Sequence, residues 1–158
     1  DTNFFILINN QSDKILETIK SRSIEILFFL NSNQKMDITR KLISDFGIDE
    51  NVDLINTTLT PGNYLKYVKF ITEDKIDVND ELILNIEKLF KLNKIKKNID
   101  YLNFAIYLIN KYYYDISRGK SNIDNFNNKR VNLIKKIQES NKLNLNYKNL
   151  IIEIENHI

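Results

Sequence analysis

Cysteine is absent from the 158 residues, which excludes disulfides and thiolate metal sites. Histidine occurs once, at His157, next to last. A single imidazole at a fraying helix end builds no His/Cys metal site and gives no nucleophile a neighbouring base. The glycines form no phosphate-loop pattern. No apolar run reaches the roughly 20 residues that a membrane span needs, and no signal segment precedes a small-residue cleavage site. An excess of one charge is lacking too. Lys and Arg number 23 against 21 Asp and Glu, and the net +2 is too small to argue for nucleic acid by itself. No enzyme site can be assembled from what remains, and the chain is expected to be cytoplasmic.

What is present is a core. The chain is 42% hydrophobic and 28% charged, enough to bury an interior and stay soluble, and its length fits one domain or two small ones. Asn, Ile and Lys abound while alanine appears once, at Ala105. All three have A/T-rich codons, so the bias reads as genomic and lysine clusters carry little weight. There is no internal repeat and no long low-complexity tract.

Phe4 to Ile8 is a continuous apolar run ended by Asn9-Asn10, and Ile24 to Leu30 is a second run, apolar but for Glu25. Both read as strands buried on both faces. Two such strands make no stable sheet alone, so further partners are expected upstream. Asp1 leads straight into the first strand, and the chain is expected to be the C-terminal portion of something longer. Between the runs, Ser12 or Asp13 is placed to cap a short helix through Ile19.

After Leu30 the period turns helical. Asn31 or Ser32 caps a helix carrying Met36, Arg40, Ile43 and Phe46, which stops at Gly47, the favoured left-handed residue past a helix end. Asp49 caps a second, with Val52, Ile55 and Leu59 on one face. Thr60 caps a third and Pro61 takes its first position, where the missing N–H costs nothing. Leu65, Val68 and Ile71 or Thr72 form its inner stripe. Glu73 to Asn79 is polar and linker-like.

Four stronger helices follow. Their inner residues read as Leu82, Ile83, Ile86, Leu89 and Phe90; then Leu102, Ala105, Ile106, Ile109 and Tyr113; then Phe126, Val131, Ile134 and Ile137; then Leu150, Ile151, Ile154 and Ile158. The fold class is therefore mainly α, with a short buried β-strand remnant. Asp80 and Glu81 stand at a helix start, where the dipole favours acids over any catalytic use. The lysines from Lys88 to Lys97 read as a solvated helix end, and Tyr112 to Tyr114 as core and rim packing.

FILINNQSDKILETIKSRS, ending at Ser23, resembles the end of the ATPase core in bacterial DNA polymerase III clamp-loader subunits, members of the AAA+ family. In that family a buried strand ends in a small polar residue called sensor 1. A short helix follows with Lys and Thr-Ile at fixed spacing, then Ser-Arg-Cys and another strand. Asn9 or Asn10 takes the sensor-1 place, and Lys14, Thr18, Ile19, Ser21 and Arg22 fall in register. Ser23 stands where the family has Cys. NTTLTPGNYLKYV resembles the segment that opens the last helix of the family's lid. There Thr60, Pro61 and Gly62 supply a sensor-2-like turn, and Asn63 stands where an arginine is common. LNLNYKNLIIEI is similar to the end of delta-prime-type subunits.

The resemblance implies three parts: residues 1–30 as the end of the ATPase-like core, 31–75 as a three-helix lid, and 76–158 as a four-helix collar that joins subunits into a ring. It implies a non-catalytic, delta-prime-type subunit within a DNA-directed DNA polymerase holoenzyme. Such a chain holds no cofactor of its own, since ATP and Mg lie at the neighbouring subunit's site. The implied partners are the gamma/tau and delta subunits and, through the complex, the sliding clamp and primed DNA; no membrane is involved. Arg22 becomes an arginine finger acting in trans, flanked by Ser21 and Ser23. Three alternatives stay open: a surface arginine pairing with Glu17 or Asp13, a gamma/tau-type ATPase subunit, or an unrelated helical interaction domain.

Overall fold

The computed structural model describes residues 5–9, 14–48, 59–118, 123–143 and 145–157. Among these, the chain forms seven helices and no strand: α1 (Glu17–Lys20), α2 (Ser32–Phe46), α3 (Pro61–Asp74), α4 (Leu82–Lys96), α5 (Asp100–Ser117), α6 (Ile123–Lys142) and α7 (Tyr147–His157). The protein is mainly α.

Local chemistry sets several of the ends. At α2 the Asn31 side chain accepts from the Gln34 N–H at 2.9 Å, and the Gln34 side chain accepts from the Asn31 N–H at 3.0 Å. This reciprocal pair satisfies two donors that a helix start leaves orphaned. Gly47, at φ 59°, closes the other end, and Ile48 N–H returns to the Ile43 carbonyl at 3.0 Å. Thr60 caps α3, its hydroxyl accepting from Asn63 N–H at 3.3 Å, with Pro61 at the first helical position.

The apolar faces meet in one core. In the carboxy-terminal part α4 packs on α5, α5 on α6 and α6 on α7, and α7 returns to α4, so four helices enclose a shared interior. Ile86, Leu89, Phe104, Ala105, Ile109, Ile137 and Ile154 are fully buried there. Each large aliphatic side chain removed from water contributes about 1.5–3 kcal/mol. Asn93 and Tyr147 join α4 to α7 by a hydrogen bond of 3.2 Å, beside a Phe90–Tyr147 ring contact at 4.7 Å.

On the other side α3 lies between α2 and α5. It packs on α2, and its rings stack on those of α5: Tyr67 on Phe104 at 4.4 Å and Phe70 on Tyr101 at 4.1 Å between centroids. The expected inner stripe of α3 is therefore only partly right. Val68 is buried, but Tyr64, Tyr67 and Phe70 join it, while Leu65 and Ile71 are half-buried and Thr72 is exposed. A helix covered on two sides buries a wider arc than one stripe. The polar connection from Glu73 to Asn79 is also tied down. Ile76 is buried in the core, and Asn85 of α4 donates to the Asp77 carbonyl at 2.7 Å.

The buried strands are corrected. Phe5 to Ile8 and Ile24 to Leu30 are irregular and exposed, Phe5 at 91% and Phe28 at 87%. A strand is held by ladder hydrogen bonds to another strand, and none exists among the described residues. In α2 only Ile43 of the expected face is buried; Met36 is half-buried, and Arg40 and Phe46 face solvent. In α6 Val131 is exposed at 49%, and Leu133, at 1%, takes its place inside. Phe4, Asn10, Ser12, Asp13, the helix expected after Asp49, and Ile158 lie outside the described residues.

Candidate functional site

The Ser21-Arg22-Ser23 turn closes a single helical turn, α1. Backbone N–H groups of Ser21, Arg22 and Ser23 donate to the carbonyls of Glu17, Ile19 and Lys20 at 2.9, 3.1 and 3.2 Å. The two hydroxyls fold back as well: Ser21 Oγ donates to Thr18 O at 3.2 Å and Ser23 Oγ to Lys20 O at 3.3 Å. The small hydroxyl residues thus satisfy carbonyls at the end of α1, which a helix leaves without partners. Arg22 lies between them, exposed. Among the described residues its guanidinium forms no ion pair. Lys20, by contrast, approaches Glu25 at 4.0 Å. The expected pairing with Glu17 is absent, and Asp13 lies outside the described residues. The segment after Ser23 is not a strand, so among the described residues the support for Arg22 comes from α1 and the serine caps.

Asn9 is exposed in irregular backbone, and Asn10 lies outside the described residues. The Thr60-Pro61-Gly62 turn is well formed. Pro61 is buried, Gly62 is exposed, and a Cβ on Gly62 would meet nothing within 4 Å. Among the described residues, therefore, nothing approaches the glycine closely. No hydrogen bond or ion pair between described residues brings Arg22 to this turn.

The lysines of α4 are largely answered from within. Lys91 pairs with Glu87 at 2.8 Å, Lys88 donates to the Lys75 carbonyl at 2.5 Å, and Lys96 pairs with Asp74 at 2.5 Å. Asp80 and Glu81 make no side-chain cap on α4. In the tyrosine run Tyr113 is buried, Tyr114 is exposed under Arg118 at 5.0 Å, and Tyr112 meets Tyr113 edge-on at 5.7 Å.

One charged group escaped the sequence reading. Asp74, at the end of α3, accepts from Lys96 of α4 and, at 2.7 Å, from the Tyr101 hydroxyl of α5; the Lys96 ammonium also sits 5.4 Å from the Tyr101 ring. Burial pushes the Asp74 carboxyl up, but the hydrogen bonds from Lys96 and Tyr101 and the charges of Lys96 and Lys88 outweigh it, and the net shift is downward. The bond to Asp74 raises Lys96 in turn. Burial raises Tyr101. A carboxylate with both oxygens engaged, held ionised beside a cation, is a poor proton acceptor, so this is a clasp rather than a catalytic dyad. Its members lie 22 and 27 residues apart, and no local pattern marks them.

No group of three or more His, Cys, Asp or Glu side chains among the described residues is arranged to hold a metal ion. No helix among them is long and apolar enough to cross a membrane. No family model, curated protein or solved structure matches the chain.

Proposed function

We infer that the chain is a delta-prime-type subunit of a bacterial clamp loader, whose task is assembly and activation in trans. The observation that carries this reading is the Ser21-Arg22-Ser23 turn. It leaves an exposed guanidinium, with no ion pair among the described residues, directly after a capped helical turn, within a segment whose order and spacing resemble the family's. A planar guanidinium makes paired hydrogen bonds to phosphate oxygens and offsets charge developing in phosphoryl transfer. On this reading Arg22 reaches the ATP of a neighbouring gamma or tau subunit, α2 and α3 belong to the lid, and α4 to α7 form the collar. The two exposed apolar segments then become strands by adding to a sheet that other polypeptide supplies.

An arginine finger in trans is worth roughly 10³–10⁵ in rate in well-studied NTPases. Arg22→Ala is therefore expected to leave assembly with gamma and delta subunits intact and to lower DNA-stimulated ATP turnover tenfold or more. Failure of the wild-type chain to assemble overturns the reading. Unchanged turnover in an assembled complex removes the finger. A helical interaction domain outside replication is the second reading, favoured by the lack of any strand among the described residues.

A further inference from the structure

We propose that two copies of this chain pair through residues 24–30 as antiparallel strands, covered by the outer flank of α2. This pairing holds whether or not the clamp-loader reading is right. Both kinds of surface that a strand offers are open in the segment. Ile24, Ile26, Leu27, Phe28 and Phe29 are exposed at 91, 67, 57, 87 and 79%. The backbone of residues 24–30 makes no hydrogen bond to another described residue. A row of unpaired N–H and C=O groups beside apolar side chains is a template for another strand.

The segment fits a second copy of itself run the other way. In an antiparallel pair centred on Leu27, Ile24 stands opposite Leu30 and Ile26 opposite Phe28. Ile24, Ile26, Phe28 and Leu30 of both copies then share one face, and that face holds no charge. Glu25, the one charge of the segment, falls on the other face opposite Phe29, and its carboxylate approaches Lys20 of its own chain at 4.0 Å. A parallel pair in register would set Glu25 against Glu25, and like charges directly opposite destabilise. The antiparallel contact is isologous, the same surface on each copy, so it closes at two. Residues 5–8 are the other exposed apolar run, but four residues leave three of the seven unpaired.

A two-stranded ribbon alone is marginal in water and needs a helix against its apolar face. α2 supplies one from each copy. It starts at Ser32, directly after the segment and its Asn31 cap, and only its Ile43 is buried. Ile38, Leu42 and Phe46 follow one another at a spacing of four, a further apolar line along the helix. Ile38 and Phe46 are exposed at 38 and 68%, and Leu42 is half-buried. The area suffices for a dimer. Phe28, Phe29 and Phe46 can bury roughly 350–600 Å² together, at about 150–250 Å² per aromatic side chain scaled by its exposure. The exposed aliphatic residues of the segment bring this to the roughly 800 Å² per partner of a specific interface.

In sedimentation equilibrium the full chain should pass from monomer to dimer across the micromolar range, with no larger species. Ile24→Lys combined with Phe28→Lys should leave a monomer of unchanged helix content. Phe46→Lys should weaken the dimer roughly tenfold or more, as loss of an aromatic anchor does. A wild-type chain that stays monomeric, open-ended aggregates, or a dimer that survives the paired lysines overturns the proposal. A dimer untouched by Phe46→Lys overturns α2 as the cover. The absence of cysteine lets disulfide trapping read the strand direction. Leu27→Cys should cross-link two copies under mild oxidation. Glu25→Cys should not, because antiparallel pairing sets the two positions four residues, about 13 Å, apart along the strands. Cross-linking through Glu25→Cys, or none through Leu27→Cys, overturns the antiparallel pair.

Discussion

Asp74 is a residue whose charge state bears directly on helix packing. Its carboxyl titrates below the ordinary range once folded, because Lys96 and Tyr101 donate to it despite its burial. In the unfolded chain an aspartate has a pKa of about 3.9. As pH falls, the unfolded chain takes up this proton first. The clasp's contribution is therefore complete above about pH 4 and is lost as pH drops through the lower folded value. Wild-type protein should exceed Asp74→Asn in urea midpoint at pH 6, and the gap should narrow progressively as pH is lowered below about 4. A gap that does not change with pH would mean Asp74 acts by shape rather than charge. Tyr101→Phe removes one hydrogen bond to an ionised group and should cost about 1.5–3 kcal/mol at pH 7. None of this was readable in advance, since Asp74, Lys96 and Tyr101 meet only through the packing of three helices.

At the scale of elements, the helices were legible where apolar residues recur at regular helical spacing. In α4 Ile86, Leu89 and Phe90 are buried as their spacing implies, and in α5 Leu102, Ala105, Ile109 and Tyr113 are. The capping groups at Asn31, Gly47 and Thr60 were legible because they act within four residues. The α6 stripe was legible only in part: Phe126 and Ile137 face the core as expected, but Val131 does not. Its inner line runs through Phe126, Arg130, Leu133, Ile137 and Ser140, and the two polar members hid the spacing. Arg130 is accommodated because its guanidinium donates to Asn110 of α5 at 3.3 Å and to Asn127 at 2.6 Å. Two alanine substitutions separate the alternatives. Leu133→Ala should cost about 2–5 kcal/mol in chemical denaturation, the range for a buried leucine. Val131→Ala should stay within about 0.5 kcal/mol, as surface changes do. Equal costs would mean that α6 presents a different face.

The whole molecule divides into a helical body and an exposed apolar arm. In the arm the runs rich in Ile, Leu and Phe suggested buried strands, whereas the described residues there are irregular and exposed. Apolar composition is a property of the segment, whereas a ladder is a property of a pair. Such a segment, lacking Pro and nearly uncharged, is also a template for unwanted pairing. Ile24, Ile26 and Phe28 alternate along it, and all three are exposed. Replacing them together by lysine removes no buried contact in this structure. The Ile24→Lys/Ile26→Lys/Phe28→Lys variant should unfold within about 1.5 kcal/mol of wild type, the sum of three surface-sized effects. It should also show less light scattering at equal concentration. If the arm is instead the pairing strand that the clamp-loader reading requires, the same variant should fail to assemble with gamma and delta subunits, because charges cannot enter a sheet interior. Full stability with normal assembly would leave the arm without a pairing role, and a large loss of stability in the variant alone would mean that the arm packs on the helices after all.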